Sequence, residues 1–146
     1  MTNITGRSFR FTHAVSRSPG KSISNGLRAG GGPNPNPENF AREHEAYVNF
    51  FKETGAKVAL FPALEAFPDS VFVEDPALCA GGKAIILRPG AESRFGEAEP
   101  MTAALTEVFG SVMSIETGFV DGGDILLTDS EALIGISERT NDEGVA

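Results

Sequence analysis

Asp75 is followed by "PALC", a short turn, and "KAIIL" beginning eight residues after it; Asp124 is followed by "ILLT", a short turn, and "ALIGI", again beginning eight residues on. Each of these hairpin patterns is preceded by a helix and then a strand. Asn36 and Pro37 make an N-cap and first-turn pair, and Phe40, His44, Tyr47, Val48 and Phe51 then recur at helical spacing until Gly55 closes the segment. "AKVALF" follows as a strand. A second helix, from about Glu97 to Phe109, carries Met101, Leu105, Val108 and Phe109 on one side, stops at Gly110 and leads into the strand "SVMSIE". A helix, strand and hairpin recurring over roughly fifty residues predicts a propeller-like or stacked assembly, in which each unit buries its faces against its neighbours. Such assemblies normally need about three units or more to close a core, and little more than two are present, so the chain is expected to be part of a longer protein.

The front of the chain has a different texture. "SFRFTHAV", residues 8–15, alternates large apolar and polar residues and reads as a first strand, with Phe9 and Phe11 on one side. Residues 16–37, "SRSPGKSISNGLRAGGGPNPNP", are dense in Gly, Pro, Ser and Asn and predict a long exposed loop, either a lid or a linker. The chain holds 20 acidic against 12 basic residues, and its basic residues form no run that would follow a nucleic-acid backbone. Its first residues lack the basic-then-apolar layout of a secretion signal, and no apolar stretch approaches the ~18 residues that cross a bilayer. A soluble, cytoplasmic protein with no nucleic-acid or membrane partner is expected. The single cysteine, Cys79, excludes an internal disulfide and a multi-thiolate zinc site.

"FPDSVFVEDP", residues 67–76, concentrates the chemistry. Val71, Phe72 and Val73 read as a buried strand, yet Asp69, Glu74 and Asp75 surround them. Successive side chains of an extended segment point to opposite faces, so Glu74 and Asp75 cannot both face the same way. A carboxylate facing inward stays ionised only with a partner: a protein Arg or Lys, a metal ion or a cationic ligand. A guanidinium fits best, because its planar fork donates to carboxylates in pairs. A divalent metal would prefer a tight D-x-D-x-D-G loop, which is absent. The plain alternative is that these acids lie at strand ends, solvated or paired with Arg88 or Lys83.

"FPDSVFVEDP", "IILRPGAESRFGE", "DGGDILLT" and "SERTN", in this order and spacing, resemble the amino-terminal half of a dimethylarginine dimethylaminohydrolase, one of a wider group of guanidine-modifying enzymes that includes arginine deiminases. The likeness runs from about residue 11 to the last residue. It implies an α/β-propeller (pentein) of ββαβ units around a central acidic channel, with this chain covering roughly the first half of the ring as a single incomplete domain over residues 1–146. It also implies that Asp69, Glu74 and Asp75 face a substrate guanidinium, that Phe72 helps to wall the pocket, and that Arg94 and Arg139 hold the amino-acid carboxylate. Leu27 would fall on a mobile lid.

The family's chemistry, as the resemblance implies it, uses a cysteine thiolate that attacks the guanidinium carbon. A covalent thiouronium forms, an amine protonated by a histidine leaves, and water releases the product. Asp121 in "VDGGD" matches the acid that orients the histidine. The histidine and cysteine themselves belong to the family's second half and have no match here, so the 146 residues alone are expected to be inactive. Cys79 is no substitute: in its apolar "PALC" setting it reads as a buried structural thiol, with neighbouring carboxylates raising its pKa. His13 and His44 read as core-edge or surface groups.

The implied function is hydrolysis of asymmetrically dimethylated (and monomethylated) arginine to citrulline and the methylated amine. An arginine deiminase-like enzyme releasing ammonia, and a noncatalytic guanidine-binding domain, are the alternatives. No organic cofactor and no metal is expected, and the partner is a small molecule, with a homodimer left open. "AGGG" at residues 29–32 lacks the strand and helix context of a phosphate loop.

Overall fold

The computed structural model describes residues 11–146, which fall into two compact units, Phe11–Val73 and Glu74–Ala146. The part of "SFRFTHAV" before Phe11 lies outside the described residues.

In the first unit, β1 (His13–Arg17) and β2 (Lys57–Phe61) pair in parallel, with His13 opposite Lys57 and Arg17 opposite Phe61, and α1 (Pro37–Glu53) connects them. The helix begins where Asn36 accepts a hydrogen bond from the Asn39 amide at 2.9 Å and Pro37 supplies a preset φ. Its expected apolar face is only partly covered: Val48 is buried, whereas Tyr47 remains exposed. Residues 16–37 are less open than their composition suggests. Ser16 and Arg17 complete β1, Lys21–Asn25 form a 3-10 turn, and Ile23 is buried. His44 lies at the half-buried edge of α1, with its Nε2 3.1 Å from Ser16 Oγ; His13 is exposed.

In the second unit, β3 (Ala77–Ala80) and β4 (Lys83–Ile86) form an antiparallel hairpin, α2 (Ala98–Phe109) follows, and β5 (Met113–Ser114) returns parallel to β4. The result is one ββαβ unit with strand order β3-β4-β5. Gly81 and Gly82 turn the hairpin with φ of 58° and 74°, the pair of left-handed residues a tight two-residue turn requires. Ala84, Ile86 and Leu87 pack with Met101 and Leu105 of α2, all nearly inaccessible, as the core of this unit. The second hairpin, β6 (Ile125–Leu127) with β7 (Ala132–Ile134), pairs Ile125 with Ile134, and α3 (Asp142–Val145) ends the chain. Both repeated hairpins therefore form as their shared spacing predicts. No helix among the described residues is long and apolar enough to cross a membrane.

Two expectations are corrected. Val71, Phe72 and Val73 are not a buried strand: the chain curls, with the amides of Ser70, Phe72 and Val73 donating to Phe67, Asp69 and Val71, and Phe72 is 41% exposed. These amides bond to carbonyls two or three residues back, so no ladder is needed for them. Cys79 is not buried either. It lies on β3, an edge strand flanked only by β4 among the described residues, and its side chain reaches solvent. Partial desolvation still pushes its thiol up, away from nucleophile character, and this, rather than nearby carboxylates, is the cause.

Candidate functional site

Within the second unit, the two repeats meet at the segment Asp121–Asp124. The Gly122 amide donates to the Asp75 carbonyl at 2.9 Å, an approach so close that a Cβ at Gly122 would fall on the Glu74 carbonyl oxygen. Gly123 donates to Asp121 Oδ1 at 2.8 Å. A Cβ at Gly123 would stand 3.0 Å from Asp121 Oδ1, 3.4 Å from Asp75 Oδ1 and 3.5 Å from Arg139 Nη2, so three charged groups converge on one glycine. The sequence "DGGD" is thus a spacer that brings two carboxyls from separate repeats together.

Ion pairs surround it. Arg94, 4% exposed, donates through Nε and Nη2 to Glu97 at 3.0 and 2.7 Å and through Nη1 to Asp75. Arg139, at the rim, has Asp121 Oδ2 at 3.2 Å and Asp124 Oδ1 at 3.7 Å. Among the described residues, four carboxyls (Asp75, Glu97, Asp121 and Asp124) lie within ion-pair distance of two guanidinium groups.

Two of the four are shifted upward. Burial pushes the Asp75 carboxyl up against the pull of Arg94, and burial pushes Asp121 up as well, opposed by the Gly123 amide and reinforced by the charge of Asp75. Asp121 is fully buried, and its Oδ2, although near Arg139, accepts no aligned hydrogen bond among the described residues. Asp124 behaves oppositely. Desolvation works against it, but the hydroxyls of Ser137 at 2.7 Å and Thr140 at 2.6 Å, with Arg139, hold it below the usual carboxylate range.

Asp75 faces inward and Glu74 is exposed, so the adjacent acids do point apart. In the first unit, Asp69 is buried and both its oxygens accept from the Leu27 amide, at 3.0 and 3.1 Å, while Leu27 itself is 60% exposed. Sequence reasoning missed Glu97 as the partner of Arg94, although their i,i+3 spacing at the head of α2 is a usable signal. It also missed Asp124, which the repeat spacing places in correspondence with Asp75.

A family model described as "N,N dimethylarginine dimethylhydrolase, eukaryotic" matches residues 33–146. The N(G),N(G)-dimethylarginine dimethylaminohydrolase of Pseudomonas aeruginosa is 41% identical over 136 residues, 92% of this chain and 54% of that protein. The chain belongs to the dimethylarginine dimethylaminohydrolase family. A crystal structure of the Pseudomonas aeruginosa family member, a cysteine-to-serine variant complexed with citrulline, superposes with a TM-score of 0.88 at 41% identity, over 93% of this chain and 54% of that one. The N-terminal domain of ArgZ, a cyanobacterial arginine dihydrolase, in a cysteine-to-serine variant bound to substrate, superposes with a TM-score of 0.76 at 20% identity, over 88% of this chain and 50% of that one, and shares the fold. That fold is the α/β-propeller (pentein) of ββαβ units. The chain spans about half the length of these relatives.

Proposed function

We propose that the chain contributes the cation-binding portion of a dimethylargininase-type hydrolase. The observation that supports this best is the convergence of Asp75 and Asp121, two carboxyls held above their usual range by burial, on Gly123. Each is a group whose ionisation becomes favourable when a cation arrives. In this reading Asp75 takes the guanidinium, with Asp69 and Glu74 as further carboxylates for it and Phe72 as apolar wall. Arg94 and Arg139 take the amino-acid carboxylate, and Leu27 lies on the loop that covers the substrate. Asp121 offers Oδ2 to the N–H of the histidine that protonates the leaving amine.

The chemistry runs by displacement. A thiolate adds to the guanidinium carbon, the C–N bond to the methylated nitrogen breaks, and the amine leaves with a proton from the histidine. Water then adds to the thiouronium carbon, the C–S bond breaks, and citrulline and thiolate are released. Nucleophile and histidine have no counterpart among Cys79, His13 and His44, so these 146 residues alone supply binding and positioning but no turnover. A product assay on the intact protein as the cell makes it decides the reaction: dimethylamine with citrulline supports the reading. Ammonia from free arginine supports a deiminase, and no product from either supports a noncatalytic binder.

Affinity for dimethylarginine is expected to rise with pH. Below its raised pKa, Asp75 is protonated and neutral; binding a guanidinium lowers that pKa and expels the proton, so affinity falls as pH drops through the free-state value. The loss approaches about tenfold per pH unit for one linked proton, and it begins at higher pH than for a surface aspartate. Calorimetric titration at several pH values reads it. Asp75→Asn should bind weakly with a flat profile, and a flat profile in the wild-type protein contradicts the assignment.

A further inference from the structure

Glu65 has no place in the chemistry above, yet it anchors the start of the loop that carries Leu27. Its Oε1 accepts from the Lys21 amide at 2.9 Å and its Oε2 from the Ser22 amide at 3.1 Å, across a sequence separation of more than forty residues. These are the first amides of the 3-10 turn, which have no partner within the turn itself. Those two amides hold the Glu65 carboxyl below the ordinary glutamate range, the sign expected for charge-assisted acceptance. At the far end of the same turn, Asp69 accepts from Leu27, and between the two ends Ile23 is buried.

Both anchors depend on a glycine. A Cβ at Gly20 would stand 2.9 Å from Glu65 Oε2, and one at Gly26 would stand 2.7 Å from Asp69 Oδ1. The segment Gly20–Leu27 is therefore an arch pinned at each end by a carboxylate seated on backbone amides, with the Leu27 side chain projecting from its last residue. Only the Asp69 end belongs to the proposed binding groups.

We propose that Glu65 is a positioning residue for substrate binding, holding the Gly20–Leu27 arch in its substrate-covering geometry through the amides of Lys21 and Ser22; this rests on the functional reading above. A preset arch spares the ligand the entropy of ordering it, so the effect falls on KM and leaves the chemical step alone.

The test uses the intact protein with asymmetric dimethylarginine as substrate and amide hydrogen exchange as a second readout. Glu65→Ala removes the anchor, Glu65→Gln keeps an acceptor without the charge, and Gly20→Ala pushes the carboxylate aside without deleting it. Glu65→Ala and Gly20→Ala should each raise KM by roughly fivefold with kcat within about twofold, Glu65→Gln lying between them and wild type. Exchange at Lys21 and Ser22 should speed up in parallel, with the core amides of β4 unchanged. Unchanged exchange, unchanged KM, or a fall in kcat alone overturns the proposal while the functional reading stands. Absence of wild-type turnover on dimethylarginine removes the functional reading and this proposal together.

Discussion

Replacing Arg94 by alanine is expected to destabilise the protein by about 3–5 kcal/mol. Arg94 and Glu97 are 4% and 2% exposed, and the guanidinium meets Glu97 through two parallel donors while a third reaches Asp75. Removing it takes two charge-assisted donors from the buried Glu97 at the head of α2, and Asp75 loses the charge that opposes its desolvation. Lysine restores the charge but not the fork, so Arg94→Lys should recover only part of the loss. Much of the cost belongs to the desolvated carboxylates that lose these donors and little to the pair itself. Arg94→Met combined with Glu97→Leu should therefore be far closer to wild type than Arg94→Ala. Urea denaturation with an unchanged slope reads all of these; a single variant with wild-type stability would show that Glu97 is not held ionised by Arg94.

Asp121→Asn is expected to lower kcat of the intact protein on the order of 10³-fold with KM little changed, because an amide in that place holds the wrong histidine tautomer while preserving shape. Stability should move the other way. The folded pKa of Asp121 is raised by burial, so the native state binds its proton more tightly than the unfolded chain does, and stability is lost as pH rises through that folded value. Asparagine does not ionise and lacks that loss. Its Oδ1 still accepts from Gly123, so Asp121→Asn should be at least as stable as wild type at neutral pH, and slow. A variant both unstable and slow would make Asp121 a structural acid, whereas unchanged kcat would remove it from the mechanism.

The architecture was legible where local rules and tertiary packing agree. Asn36 with Pro37 starts α1, Gly110 stops α2, and the eight-residue offset from Asp75 and Asp124 locates both hairpins, because caps and periods are written in adjacent residues. The decapeptide misled because apolar content alone does not distinguish a strand from a curl. Between Phe67 and Val73 the backbone bonds to itself, and the sheet begins only at Ala77. Cys79 misled for a related reason: composition predicts burial of "PALC", but edge position in the sheet is a property of topology.

Site residues followed the same division. That Glu74 and Asp75 point apart was readable from chain geometry, but which one turns inward depends on the Gly122 amide reaching the Asp75 carbonyl. Glu65 was invisible because its partners are amides far along the chain, and backbone donors leave no mark in the composition. Asp121 and Asp124, three residues apart, shift in opposite directions because burial and the charge of Asp75 raise the first while the hydroxyls of Ser137 and Thr140, with Arg139, lower the second; "SERTN" names these residues but not which acid they reach.

A crystal structure of the intact protein with asymmetric dimethylarginine bound is the most direct measurement. It should find the guanidinium nitrogens within hydrogen-bonding distance of the Asp75 carboxylate, with Asp121 Oδ2 engaged by an imidazole N–H. A ligand seated elsewhere, with Asp75 still in contact only with Arg94, would contradict the account.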